Sequence, residues 1–116
     1  MKKSIKKLQK REQVKERLKY RIMLEEECTE QCAEWMVNRI ENLIDHMQYG
    51  HALIAYKRQD GKFTLAKATL LYYEQTFKKA YGLEQVNGGT LIYWDVEAQG
   101  WRNLMAENFL EWRPVV

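Results

Sequence analysis

Two groups of residues in this 116-residue chain have the chemistry to grip another molecule. The first is aromatic: Tyr93, Trp94, Trp101, Phe109 and Trp112 fall close together near the end, with Arg102 directly after Trp101. Exposed rings stack on bases or prolines, and a guanidinium forks onto a phosphate or carboxylate. Each stacked base contributes on the order of 1–3 kcal/mol, so two exposed rings matter. The second group is cationic: residues 1–24 carry ten Lys/Arg against two Glu. Cations at that density neutralise phosphates and release counterions. The expected nucleic-acid contacts are therefore Lys2, Lys3, Lys6, Lys7, Lys10 and Arg11 in the leader, with Tyr93, Trp94, Arg102 and Trp112 on the folded part.

Each feature also has a purely structural reading. Neighbouring strand residues face opposite sides, so Tyr93 and Trp94 cannot both be core. The outward rings can pack beneath helices, and Arg102 can pair across a hairpin with Asp95 or Glu97. Residues 25–48 hold seven acids against Arg39, so the basic segment has a complementary acidic one beside it, and the net charge of +3 conceals this segregation. The pair can form a charge-matched helical hairpin, although exposed ion pairs contribute only about 0–1 kcal/mol each. A solvated tail is the third reading.

Other chemistries lack support. Cys28 and Cys32 could join His46 or His51 around a metal, but no recognised zinc spacing is present. Two thiols four apart on a helix also disfavour a disulfide. There is no phosphate-cradling glycine loop, no nucleophile elbow and no HExxH. The chain is thus expected to be non-enzymatic, with no cofactor and no metal. No apolar run is long enough to span a bilayer, and the basic N-terminus precedes no apolar signal core. A cytoplasmic, reduced environment fits these facts.

Positioning these groups requires two kinds of element. Residues 4–23 contain strong helix formers and no Gly or Pro, with a thin stripe of Ile5, Leu8, Val14, Leu18 and Ile22. Whether that helix breaks at Glu25–Thr29 is open, but Thr29 has the side chain of an N-cap. Cys32, Met36, Ile40, Leu43 and Met47 recur at helical spacing, widened by Trp35 and Ile44, and Gly50 ends the run. From His51 the period shortens. Ala52–Tyr56 and Phe63–Leu70 read as strands joined by the turn Gln59-Asp60-Gly61-Lys62. A phase slip at Ala66 predicts a bulge. Glu74–Tyr81 reads as a short helix. Three closing strands then follow, separated by the turn Val96–Gly100 and a helical turn at Ala106–Asn108.

Tyr56, Asp60-Gly61-Lys62, Ala66, Thr69-Leu70, Tyr93-Trp94-Asp95, Gly100-Trp101-Arg102-Asn103-Leu104 and Asn108-Phe109-Leu110 together resemble the small bacterial WYL-like proteins with an SH3 β-barrel fold, a Bacteroidetes-type family. The set is more distantly similar to the WYL domains of bacterial transcriptional regulators. The resemblance covers roughly residues 51–112. It implies contacts centred on Tyr93, Trp94 and Arg102. Leu104-Met105 and Glu107-Asn108 stand where WYL domains usually carry an aromatic and a second basic residue.

The expected architecture is α+β: an N-terminal helix or helical hairpin, residues 1–49, followed by a five-stranded antiparallel SH3-like (Sm-like) β-barrel, residues 50–116. The expected function is a binding module, an accessory or regulatory protein contacting nucleic acid through the basic helix and the aromatic/Arg face. The alternative is a protein-interaction or assembly module, in which Met36, Ile40, Leu43 and Met47 meet a partner helix or a second copy and the barrel is scaffold. A small-ligand sensor at the barrel mouth, by analogy with WYL domains, is a third reading resting on fold alone.

Overall fold

Thr29 decides where the helical part of the chain divides. Its backbone is extended and its Oγ1 accepts the Cys32 N–H at 3.1 Å, an N-cap that starts a second helix. The computed structural model describes the backbone of residues 2–86 and 88–116, and the side chains of residues 6–86 and 88–116. Helix α1 spans Lys2–Glu26 and α2 spans Glu30–Met47; Glu27, at φ 50°, turns the chain between them. On α1, Val14, Leu18 and Ile22 are buried, and Leu8 is exposed. Ile5 lies outside the described side chains.

The buried stripe of α2 is rotated from the one the spacing predicts. Ala33, Val37, Ile40, Leu43, Ile44 and Met47 are buried, Met36 is half-buried, and Cys32 and Trp35 face solvent. Two surfaces share this helix, α1 on one side and strands of the sheet on the other. The residues that meet both form the core, whatever the widest apolar run in the sequence. Each large side chain so buried contributes about 1.5–3 kcal/mol.

The strands are β1 (His51–Lys57), β2 (Phe63–Thr69), β3 (Thr90–Asp95), β4 (Gly100–Met105) and β5 (Phe109–Val115). They form one antiparallel sheet in the order β4-β3-β2-β1-β5, so the last strand returns to pair with the first. Asp60-Gly61 makes the first hairpin: Gly61 adopts φ 84°, and Asp60 Oδ1 accepts the Lys62 N–H at 3.0 Å. Asp95 makes the β3–β4 turn. Its Oδ1 accepts the N–H groups of Glu97 and Ala98 at 3.1 and 3.0 Å.

The phase slip at Ala66 is not a bulge. β1 and β2 pair without interruption from His51 opposite Thr69 to Lys57 opposite Phe63. Ala66 and Ala68 lie in the buried row, which leaves Phe63 and Leu65 exposed on the outer face. The irregularity sits instead between Ala55 and Tyr56, where β1 meets β5. The helix expected at Glu74–Tyr81 is shorter: α3 covers Tyr73–Phe77, because Lys78 turns left-handed at φ 60° and its N–H closes on Glu74 O.

Ile22 from α1, Ile40 and Ile44 from α2, and Ile54, Tyr93 and Phe109 from the strands belong to one continuous core. Arg39 fastens α2 to β5. It donates to Glu111 Oε1 at 2.6 Å and to Trp112 O at 2.7 Å, while Trp112 Nε1 donates back to Arg39 O at 3.0 Å. Glu111 Oε1 also accepts the Trp112 N–H at 2.9 Å. Side chains thus occupy both backbone groups of Trp112, a device that discourages pairing at an edge strand.

Candidate functional site

β4 presents Arg102 beside the β1–β2 hairpin. The guanidinium is exposed and lies 3.4 Å from Asp95 Oδ2. Asp95 Oδ1 caps its own turn and Oδ2 faces the Arg102 Nε, and the half-exposed guanidinium makes no other ion pair among the described residues. Arg102, Asn103 and Asn108 form one wall of an open cleft of about 390 Å³; Lys57, Arg58 and Gln59, from the hairpin, form the other. Arg58 is bonded to Asp60, which raises the Arg58 pKa and lowers that of Asp60. Tyr56 also lines the cleft, and its hydroxyl meets that of Tyr93 at 2.7 Å. Burial, then the bond to Tyr56, pushes the Tyr93 phenol well above its ordinary value.

The expected aromatic face does not form. Tyr93 is buried in the core. Trp112 is also buried, beneath α2, with the Arg39 guanidinium 4.8 Å above its ring and His46 5.2 Å away. Trp94 is half-buried and lies edge-on to Tyr72 and Trp101 at 5.8 and 5.3 Å. It belongs to a cluster with Tyr73, Phe77 and Trp101, closed by the connection between β2 and β3. Tyr81 joins the cluster through Tyr73, and burial pushes its phenol up to about 12. The outward rings Trp94 and Trp101 are thus covered by this connection, while Trp112 lies in the buried row opposite Ile54, beneath α2. Of the four expected residues, Arg102 alone is exposed.

The basic leader is largely spoken for within the chain. Arg11 pairs with Glu84 at 3.1 Å and Lys7 reaches the same carboxylate at 3.3 Å. Lys15 meets Glu41 at 3.1 Å, Lys19 meets Glu30 at 2.9 Å, and Arg21 meets Glu107 at 2.8 Å. Glu84 is buried, which favours its protonated form, yet backbone N–H bonding together with Arg11 and Lys7 holds it below the usual carboxylate range. Lys6, Lys10 and Arg17 are exposed and make no ion pair among the described residues. The expected contacts Lys2 and Lys3 lie outside the described side chains. The proposed partner face also requires correction: Ile40, Leu43 and Met47 are core, and Met36 is packed against it, so no helix can dock there without opening the fold.

Sequence reasoning passed over Lys57, Arg58, Gln59, Asn103 and Asn108. The available signal was the Lys57-Arg58-Gln59 run leading into an Asp-Gly turn, since hairpin tips are exposed places for recognition residues. Among the described residues, no group of three His, Cys, Asp or Glu side chains is placed to hold a metal ion. His46 Nε2 is instead bonded to His51 O at 2.8 Å, and burial pushes the Cys28 thiol up. Among the described residues, no helix is long and apolar enough to cross a membrane.

Five antiparallel strands in this order, with a one-turn helix at Ala106–Asn108 before β5, define a small barrel of the Sm-like SH3 class. The chain belongs to the WYL_2 family, an Sm-like SH3 beta-barrel fold, which matches residues 40–110. That span begins within α2 and takes in every residue of the Arg102 cleft. No curated protein and no solved structure matches the chain. Membership in the family points to a binding or regulatory module.

Proposed function

We propose that this protein is a non-enzymatic module that binds nucleic acid, and that the contact centres on the Arg102 cleft. One observation carries the reading: Lys57, Arg58 and Arg102, with the amides of Gln59, Asn103 and Asn108, converge on a single open cleft. Guanidinium forks and amide donors suit phosphate oxygens, and a cleft open to solvent admits an extended backbone. Lys6, Lys10 and Arg17 on the outer face of α1 add long-range attraction. The half-buried Trp94 and Trp101 contribute little stacking surface, so the proposed contact is mainly electrostatic and sequence-tolerant.

The test is fluorescence anisotropy of labelled single- and double-stranded oligonucleotides at several salt concentrations. Removing residues 1–24 is not a clean perturbation, because Val14, Leu18 and Ile22 would leave the core. Arg58→Ala/Arg102→Ala is the better variant. The expected result is binding that weakens steeply with salt. For single strands, the log–log slope should fall by about 0.7 for each phosphate that the variant no longer neutralises. Equal binding by wild type and variant, or no binding by wild type, would show that the cleft is not the site.

A further inference from the structure

The outer face of β1, β2 and β5 is apolar at its centre and cationic at its rim. Phe63 and Leu65 are 74% and 72% exposed, and Leu53 is 41% exposed. The register sets Leu65 opposite Ala55, and Leu53 between Lys67 and Arg113. Phe63 lies opposite Lys57. A groove of about 240 Å³ runs from Leu53, Ala55 and Leu65 to the Glu111–Arg113 stretch of β5. Lys57, Lys67 and Arg113 make no ion pair among the described residues, and Arg39 already holds Glu111. An apolar centre within a charged rim is the anatomy of a protein interface. Nucleic acid fits this face less well, because its centre is aliphatic and offers one ring for stacking.

The charges narrow the choice of occupant. Two copies meeting face to face would set three cations against three cations, so symmetric pairing is disfavoured. An occupant must instead be acidic and carry an apolar side chain. The chain has such a segment. Leu24, near the end of α1, is 81% exposed, and Glu25, Glu26 and Glu27 follow it, all exposed and without an ion pair among the described residues. We infer that the α1–α2 turn of one copy docks on the β1–β2–β5 face of the next. Leu24 enters the groove beside Leu53 and Leu65, and the glutamates meet Lys57, Lys67 and Arg113. The contact is heterologous: one end of any row of copies keeps a free face and the other a free turn, so association is open-ended. It shares Lys57 with the Arg102 cleft, but Lys67 and Arg113 do not line that cleft, so substituting those two tests this contact apart from the nucleic-acid reading.

Sedimentation velocity of the full chain, from micromolar to millimolar concentration and at low and high salt, tests the inference. The expected average mass rises from the 14.0 kDa monomer with concentration, shows no plateau at the dimer, and falls back at high salt. Lys67→Glu/Arg113→Glu and Glu25→Lys/Glu26→Lys should each remain monomeric alone. Mixed, the two variants should associate again, because each restores the charge match for the other. Leu65→Ser breaks the apolar contact at an exposed position without altering charge, and should also hold the chain as a monomer. A mass of 14.0 kDa at every concentration overturns the inference. So does association that persists in the Glu25→Lys/Glu26→Lys chain.

Discussion

Replacing Arg11 with alanine tests whether the basic leader is built for the fold. The guanidinium donates to Glu84 through Nε and Nη2, both at 3.1 Å, and lies 3.7 Å from Glu41. Side-chain exposure is 23% for Arg11 and 5% for Glu84. Removing one partner of a fully buried pair costs about 3–5 kcal/mol, because the other charge is left without its counterpart. Water reaches one side of Arg11 and Lys7 remains near Glu84, so the expected loss is roughly half of that, about 2 kcal/mol. Lys7→Ala should cost no more than about 0.5 kcal/mol, since its ammonium is mostly solvated. Urea unfolding at neutral pH measures both. The pH dependence adds a sign. Glu84 is held below its unfolded pKa, so its contribution is complete above that pKa and is lost as the pH falls through the folded value. The difference between wild type and Arg11→Ala should therefore shrink in acid. A double-mutant cycle with Glu84→Gln assigns the coupling to this pair rather than to Glu41. Equal, small losses for Arg11→Ala and Lys7→Ala would refute the account of α1 as an electrostatically docked helix.

Two further outcomes follow from the geometry. Gly89 has φ 74° and an added Cβ would lie 2.5 Å from Arg21 Nε, whereas Gly61 has φ 84° with open space around it. Gly61→Ala should lose about 1–2 kcal/mol from the left-handed backbone alone, and Gly89→Ala measurably more by thermal unfolding. Tyr93→Phe leaves the buried Tyr56 hydroxyl without its 2.7 Å partner and should cost about 1–3 kcal/mol, while Tyr56→Phe/Tyr93→Phe should recover part of that loss.

The barrel was legible because its turns are written in residue types with one conformational reading. Asp60-Gly61 supplies a positive φ, and the three closing strands are short apolar runs separated by four and then three residues. The α2 N-cap was legible for the same local reason. The faces were not. Alternation says that Tyr93 and Trp94 point in opposite directions, but which one enters the core depends on register and on where the sheet bends. The Ala55/Tyr56 irregularity allows Phe109 and Trp112, three apart, to be buried together although strict alternation would separate them. Likewise Phe63 and Leu65 are apolar in sequence yet belong to the outer row, a placement set by Ala66 and Ala68 fitting the crowded interior.

The charge segregation is where local pattern and global fold compete most directly. Lys7, Arg11, Lys15 and Lys19 stand four apart, alongside Val14, Leu18 and Ile22. That spacing aligns them along the edge of the buried stripe, facing the acids of α2 and the Glu84 turn. Lys6, Lys10 and Arg17 lie on the solvated column with Tyr20 and Leu24. A count of cations merges the two sets, whereas helical position separates them. The first set acts on stability, and neutralising it should lower the unfolding midpoint. The second acts at long range, and neutralising Lys6, Lys10 and Arg17 should leave unfolding nearly unchanged while slowing association with any polyanion. A leader whose two columns responded alike would mean that the charge pattern, and not the docked helix, governs what this segment does.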